Sequence, residues 1–168
     1  MAERAYNVLF LCTGNSSRSI FGEAIVNHLG KGRFKGFSAG SRPRGTIHPL
    51  TLKVLADACI PTEGLRSKSW HEFAEPGAPQ MDFVITVCDD AAGEECPVWP
   101  GVPATGHWGI PDPTAAIGTD HHREHAFRDA FVTMERRIIL LLNLRPEALD
   151  AASLRHHLSE IHRQDRAD

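Results

Sequence analysis

Val8-Leu9-Phe10-Leu11-Cys12-Thr13-Gly14-Asn15-Ser16-Ser17-Arg18-Ser19 begins as an apolar run, stops at a cysteine, and continues as five small or polar residues closed by an arginine. A short continuous apolar run of this kind marks a strand buried on both faces. Beyond the loop, Phe21, Ala24, Ile25 and Leu29 recur at helical spacing. The loop therefore joins the end of a strand to the start of a helix. Small residues there let successive backbone N–H groups turn into one concavity, and the positive end of the helix reinforces it, which is the design of an oxyanion site. Arg18 adds a planar fork for two further oxygens. Cys12 lies where the same positive field favours a thiolate. A lone cysteine at a strand end is ordinarily a small core residue, and Gly-Asn is ordinarily a turn. The joint order of strand, cysteine, small loop, arginine and helix is specific where each piece is not.

The 168 residues suit one domain spanning 1–168, and an apolar content of 42% supports a core. A net charge of -3 gives no case for nucleic acid or a membrane surface as partner. No stretch reads as an export signal or a bilayer span, so a cytoplasmic location and a monomer are expected. In a reducing compartment four cysteines point to catalysis, redox chemistry or metal binding rather than a disulfide framework.

Strands are expected over residues 5–11, 35–40 and 82–87, with a short fourth near Ala104 in a segment rich in proline. A first helix is expected over 19–30. A second, from His48 to Ala58, turns Leu52, Leu55 and Ala56 inward. Thr119 or Asp120 can cap a long helix with Phe127, Ala130, Phe131, Met134, Ile138 and Leu141 on one stripe. A final helix starts at Pro146-Glu147, with Leu149, Leu154, Leu158 and Ile161 inward. Alternating strands and helices imply an α/β fold: a three-layer α/β/α sandwich around a four-stranded parallel sheet. Functional loops should gather at the strands' C-terminal ends, where Cys12 and Cys88 both fall. Cys59 follows an apolar helix face and reads as structural. His121 and His125 stand four apart, a spacing that suits a metal, but read as solvated residues of an exposed first turn.

Cys12-x5-Arg18-Ser19 with a downstream Asp112-Pro113 resembles the low-molecular-weight protein tyrosine phosphatase superfamily, including its arsenate reductase branch, from about Asn7 to about Leu144. The resemblance implies that fold. It also implies Cys12 as nucleophile, Arg18 with Thr13, Gly14, Asn15, Ser16, Ser17 and Ser19 as the oxyanion loop, and Asp112 as general acid. On residue chemistry alone Asp112 could instead form an Asx turn or cap ahead of its proline, and Ser19 could cap the helix, steady the thiolate or do both. No tightly bound cofactor is implied. Some relatives hold potassium near the loop. Asn15, Glu23 and Ser38 match its ligands, while Ser69 stands where an aspartate would be.

Cys88 and Cys96, eight residues apart around the small stretch Ala91-Ala92-Gly93, separate the branches. A phosphatase needs one thiol. Two-electron reduction of arsenate needs a nucleophilic and a resolving thiol. The segments around Cys88, Cys96-Pro97 and His107-Trp108-Gly109 look like the thiol-linked arsenate reductases. A buried cysteine with a loop cysteine, or a zinc site including His107, are the alternative readings of the pair. Tyrosine phosphatases of this size place aromatic residues after Asp-Pro; here Thr114-Ala115-Ala116 follows, and the single tyrosine, Tyr6, lies in the first strand.

The resemblance thus implies arsenate reduction by an intramolecular disulfide cascade through Cys12, Cys88 and Cys96. The external reductant would be thioredoxin, or glutaredoxin with glutathione, or mycothiol. The alternative is a phosphatase of phosphotyrosine or another phosphomonoester.

Overall fold

The computed structural model describes residues 4–87 and 103–167. Four strands, β1 (Tyr6–Cys12), β2 (Phe34–Gly40), β3 (Phe83–Thr86) and β4 (Ala104–His107), form one sheet in the order β2-β1-β3-β4. Every pairing is parallel, with Leu9 opposite Phe37 on one side and Val84 on the other. The helices are α1 (Arg18–Leu29), α2 (Pro49–Asp57), α3 (Asp120–Leu142) and α4 (Ala151–Ala167). This is the α/β fold with a four-stranded parallel sheet that the sequence implies.

The apolar run at residues 8–11 divides by strand alternation, because successive side chains leave a strand on opposite faces. Val8, Phe10 and Cys12 join the larger core cluster with residues of α1, α3 and α4. Leu9 and Leu11 face the other way, onto Trp70, Phe73, Met81 and Val84. Trp70 and Phe73 belong to a 3₁₀ turn, Trp70–Phe73, that lies against β2. All four side chains of the run are fully buried, and each such burial is worth about 1.5–3 kcal/mol relative to exposure. The expected stripe on α3 is buried at every position from Phe127 to Leu141. Thr119 caps α3, its hydroxyl accepting from the His122 amide at 3.1 Å.

Three local expectations are corrected. The final helix starts at Ala151, not Pro146: Pro146–Ala148 is a separate 3₁₀ turn, and Leu149 is extended. Asp150 then begins the helix by accepting from the Ser153 amide at 2.8 Å. Helix α2 turns Thr51, Val54 and Leu55 inward, while Leu52 and Ala56 are exposed. Thr51 displaces the apolar choice because its hydroxyl has a buried acceptor, the Ser16 carbonyl at 2.9 Å. Cys59 is exposed and left-handed, with φ of 61°, just past the end of α2, so it is not a core residue.

Strand order reverses direction at β1, whose neighbours β2 and β3 continue away on opposite sides. Connections leaving β1 and β3 therefore diverge, which opens a crevice at their C-terminal ends. Cys12 is the last residue of β1 and stands at that crevice.

Candidate functional site

The loop after β1 is held from outside through its carbonyls. Cys12 O accepts from the Ser41 amide at 3.2 Å, Thr13 O from Arg42 at 2.9 Å, Gly14 O from Arg44 at 3.0 Å, and Ser16 O from His48 at 3.1 Å. With those carbonyls turned outward, the peptide planes send their amides toward the loop's interior, the nest arrangement that suits an anion. Gly40 makes this close approach possible. A Cβ there would stand 2.4 Å from Thr13 O. Asn15 takes the turn's left-handed residue, φ 46°, a conformation that asparagine tolerates better than most.

Ser17 is the N-cap residue of α1 but makes no side-chain cap, and among the described residues its buried hydroxyl has no hydrogen-bond partner. The first amides of the helix are thus left without the usual cap acceptor, and an oxyanion can take that role.

Cys12 is buried, 3% exposed, at the floor of this loop. The Asn15 amide donates to its Sγ at 3.2 Å, and Ser19 Oγ lies 2.8 Å from Sγ. Asn15 Nδ2 donates to Ser19 Oγ at 2.8 Å. The Ser19 oxygen is therefore already an acceptor, and its own proton is free to point at sulfur. Ser19 lies within the first turn of α1 and is not its cap, which corrects that alternative.

Arg18 is aimed from the far side of the crevice. Its Nη1 donates to Ile110 O at 3.0 Å, and Nη2 lies 3.6 Å from Asp112 Oδ2. Buried Arg137 of α3 steadies this segment by donating to Gly109 O at 3.1 Å. Asp112 forms the turn that its motif allows and turns its second carboxylate oxygen to the cleft. Oδ1 accepts from the Thr114 amide at 3.0 Å and hydroxyl at 2.7 Å, capping the 3₁₀ turn Pro113–Ala115. Oδ2 faces Arg18. Burial pushes the Asp112 carboxyl up, but the Thr114 bonds together with Arg18 and Arg44 outweigh it and hold it below the ordinary carboxylate value.

The resulting cleft of about 220 Å³ is lined by the loop, Arg18, Asp112, Thr114 and two residues that sequence reasoning passed over, Arg42 and Arg44. The signal for these was Arg42-Pro43-Arg44 directly after β2, at the end of the sheet where functional loops gather. Among the described residues no aromatic side chain lines the cleft. A small tetrahedral anion matches it in size, charge and donor supply.

Structure thus brings together Cys12, Arg18, Asp112 and the residues 13–19. Cys88 and Cys96 lie outside the described residues. His107, the further candidate for a zinc site, has its Nδ1 2.8 Å from Thr86 Oγ1. Glu23 and Ser38 do come together, but around the ammonium of Lys68, with Asn15 on its backbone amide. The Lys68 Nζ donates to Glu23 Oε1 at 3.3 Å and to Ser38 Oγ at 3.4 Å. Asn15 Oδ1 accepts instead from the Lys68 amide at 2.8 Å, and Ser69 caps the turn Trp70–Phe73. A potassium ion among these groups would touch a like charge, so the residues as arranged do not fit it. Burial lowers the Lys68 ammonium from its ordinary value against the opposing pull of Glu23. Among the described residues no group of histidine, cysteine and carboxylate side chains could hold a metal ion, and His121 and His125 are exposed.

Comparison with known proteins agrees with this geometry. The low molecular weight phosphotyrosine protein phosphatase family matches residues 7–155. The chain belongs to that family. It is 35% identical over 121 residues, 72% of this chain and 84% of the relative, to an arsenate reductase of Shouchella clausii (strain KSM-K16). It is 36% identical over 118 residues, 69% of this chain and 80% of the relative, to an arsenate reductase of Bacillus licheniformis. The fold also matches the Corynebacterium glutamicum thioredoxin-dependent arsenate reductase Cg_ArsC1', with a TM-score of 0.59 and 24% identity, covering 84% of this chain and 64% of that one. No helix among the described residues is long and apolar enough to cross a membrane.

Proposed function

We propose that this chain reduces arsenate to arsenite, with Cys12 as the nucleophile. The observation that carries the reading is the buried Cys12 sulfur, held by Ser19 and the Asn15 amide at the floor of a small cleft rimmed by Arg18, Arg42 and Arg44. The names carried by relatives at 35–36% identity support arsenate as the oxyanion. The absence of aromatic lining among the described residues argues against a phenyl ring.

In the first step the Cys12 thiolate attacks arsenic. An S–As bond forms and an As–O bond breaks, with a proton from Asp112 leaving on the departing hydroxide. The Asp112 carboxyl is held low in the free protein. An arriving oxyanion adds negative charge beside it and occupies Arg18, both of which raise its proton affinity. Cys88 then attacks the Cys12 sulfur. The S–S bond forms, the S–As electron pair stays on arsenic, and As(V) leaves as As(III). Cys96 attacks Cys88 and releases Cys12 as thiolate, leaving a Cys88–Cys96 disulfide for an external dithiol to reduce. Thioredoxin is the proposed reductant; glutaredoxin with glutathione, or mycothiol, are the alternatives.

The test is arsenate-dependent NADPH oxidation with each reductant system, beside a phosphatase assay on p-nitrophenyl phosphate. Cys12→Ser should abolish reaction with arsenate, and Cys88→Ser should stop turnover. Cys96→Ser should allow one turnover and stall as a Cys12–Cys88 disulfide, located by peptide mapping. Cys59→Ser should leave rates unchanged. The phosphatase reading is the alternative, since the Asp112 carboxylate facing the arginine beside Cys12 would serve either reaction. Efficient phosphatase turnover that survives Cys88→Ser/Cys96→Ser, with no arsenate reduction in the parent, would establish that reading instead.

A further inference from the structure

Lys68 is 7% exposed, and no step of the proposed reaction uses it. An ammonium has three donors, and here three acceptors meet them. Arg66 O accepts at 2.8 Å, Glu23 Oε1 at 3.3 Å and Ser38 Oγ at 3.4 Å. The Ser38 hydroxyl in turn donates to Glu23 Oε1 at 2.6 Å. These acceptors belong to α1, to β2 and to the segment that crosses behind them. One side chain thus ties together the three pieces of chain that back the oxyanion loop.

The same residue reaches the loop through its backbone. The Lys68 amide donates to Asn15 Oδ1, Asn15 Nδ2 donates to Ser19 Oγ, and Ser19 Oγ lies against Cys12 Sγ. Each link fixes the orientation of the next. An amide whose oxygen is claimed by an N–H must turn its nitrogen to Ser19. The Lys68 carbonyl accepts from the Gly40 amide at 2.9 Å, which holds the residue at the end of β2.

We infer that Lys68 is a positioning residue and a tethered cation: its ammonium, bonded to Glu23, Ser38 and the Arg66 carbonyl, fixes from within the chain the segment whose backbone amide at Lys68 braces the oxyanion loop through Asn15 and Ser19. The charge also neutralises Glu23, whose side chain is only 13% exposed and which would otherwise be an uncompensated buried carboxylate. A consequence is independence from monovalent cations, since the place a cation would take holds the ammonium. The inference rests on Cys12–Ser19 being the oxyanion loop, not on arsenate being the substrate.

Inorganic phosphate is the probe, with its affinity for the reduced full-length chain measured by calorimetry. Titrations run in ~0.1 M potassium chloride and in choline chloride of equal ionic strength, so that screening is the same in both. The wild-type affinity should be equal in the two salts. Lys68→Ala should bind phosphate about tenfold more weakly in choline, about 1.4 kcal/mol. Potassium should restore at least part of that loss, because the vacated space beside Glu23 and Ser38 can take a small cation. Lys68→Met, which fills the space without charge, should lose affinity alike and show no potassium response. It is the variant that decides the matter where Lys68→Ala does not fold. Packing loss alone would not create a potassium response confined to the alanine variant. Wild-type binding that itself strengthens in potassium would overturn the inference. So would a folded Lys68→Met variant that binds phosphate as tightly as wild type. No phosphate binding by wild type would remove the oxyanion loop and the inference together. Failure of arsenate turnover with phosphate binding intact would fall on the proposed reaction alone.

Discussion

The floor and the rim of the cleft are built on opposite plans. Cys12, Asn15 and Ser19 on the floor are almost wholly buried, and each is bonded to the next. Lys68 closes the network from behind. At the rim, Asp112 is exposed at 38% of its side chain, and among the described residues Arg42 and Arg44 make no ion pair. Arg18 bridges the two, rooted in the first residue of α1 and reaching Ile110 O across the crevice. The floor supplies fixed donors that need no rearrangement when charge arrives, which is what stabilises a reacting oxyanion most. The rim supplies charge that attracts and orients, at the cost of screening by water and salt. Changes on the floor should therefore act on the chemical step, and changes at the rim on capture.

Arg18→Lys should give the largest effect of these tests, because it damages both plans. Lysine keeps the charge but not the two-point planar grip on a tetrahedral anion. Turnover and inhibition by phosphate should each weaken at least tenfold, about 1.4 kcal/mol or more. Near-wild-type kinetics would place the anion elsewhere.

Ser19→Ala sharpens the comparison on the floor. It removes the hydroxyl beside sulfur and leaves Asn15 Nδ2 without its acceptor. Alkylation of Cys12 by iodoacetamide at about pH 6 should slow by several fold, and kcat should fall more than KM rises. A change in KM alone would show that the hydroxyl serves binding and not the nucleophile.

At the rim, Arg42→Ala and Arg44→Ala should each raise KM about two- to fivefold and leave kcat near wild type. The effect should shrink as ionic strength rises, since the charges are exposed. A loss confined to kcat would break the division between floor and rim.

Asp112→Asn should have the smallest effect on stability. The carboxyl is held below its ordinary value in the folded chain, so it contributes stability above the unfolded value near 3.8 that is lost as pH falls through the folded value. Thermal melts from about pH 5 downward should show wild type slightly above the asparagine variant at first, the gap closing in acid. A gap that widens in acid would mean the carboxyl is destabilised by its site.

Residues close in sequence were legible because their relation is set by local geometry. The run at 8–11 had to be a buried strand, and the small loop before a helical pattern had to be a nest. The stripe from Phe127 to Leu141 had to face a core. Pro146 was misleading since proline begins a 3₁₀ turn as readily as a helix, and Leu149 turned extended behind it. Leu52 misled because a period of 3.6 leaves two nearly equal faces on a nine-residue helix, and the choice fell to a hydrogen bond at Thr51.

What the sequence by itself determined was the strand ending at Cys12, the small loop after it and the parallel sheet, because the first two are written within one strand and one helical turn of Cys12 and the third in the alternation of strands and helices along the chain. Tertiary structure alone decided what surrounds them. Arg42 and Arg44 reach the cleft because β2 lies beside β1 in parallel, so the two strands end together. Lys68 fills the place of a cation because a side chain more than fifty residues from Asn15 is brought behind the loop. No spacing rule encodes that, since a buried ammonium is placed by the acceptors that the fold assembles around it, and those acceptors come from three separate segments.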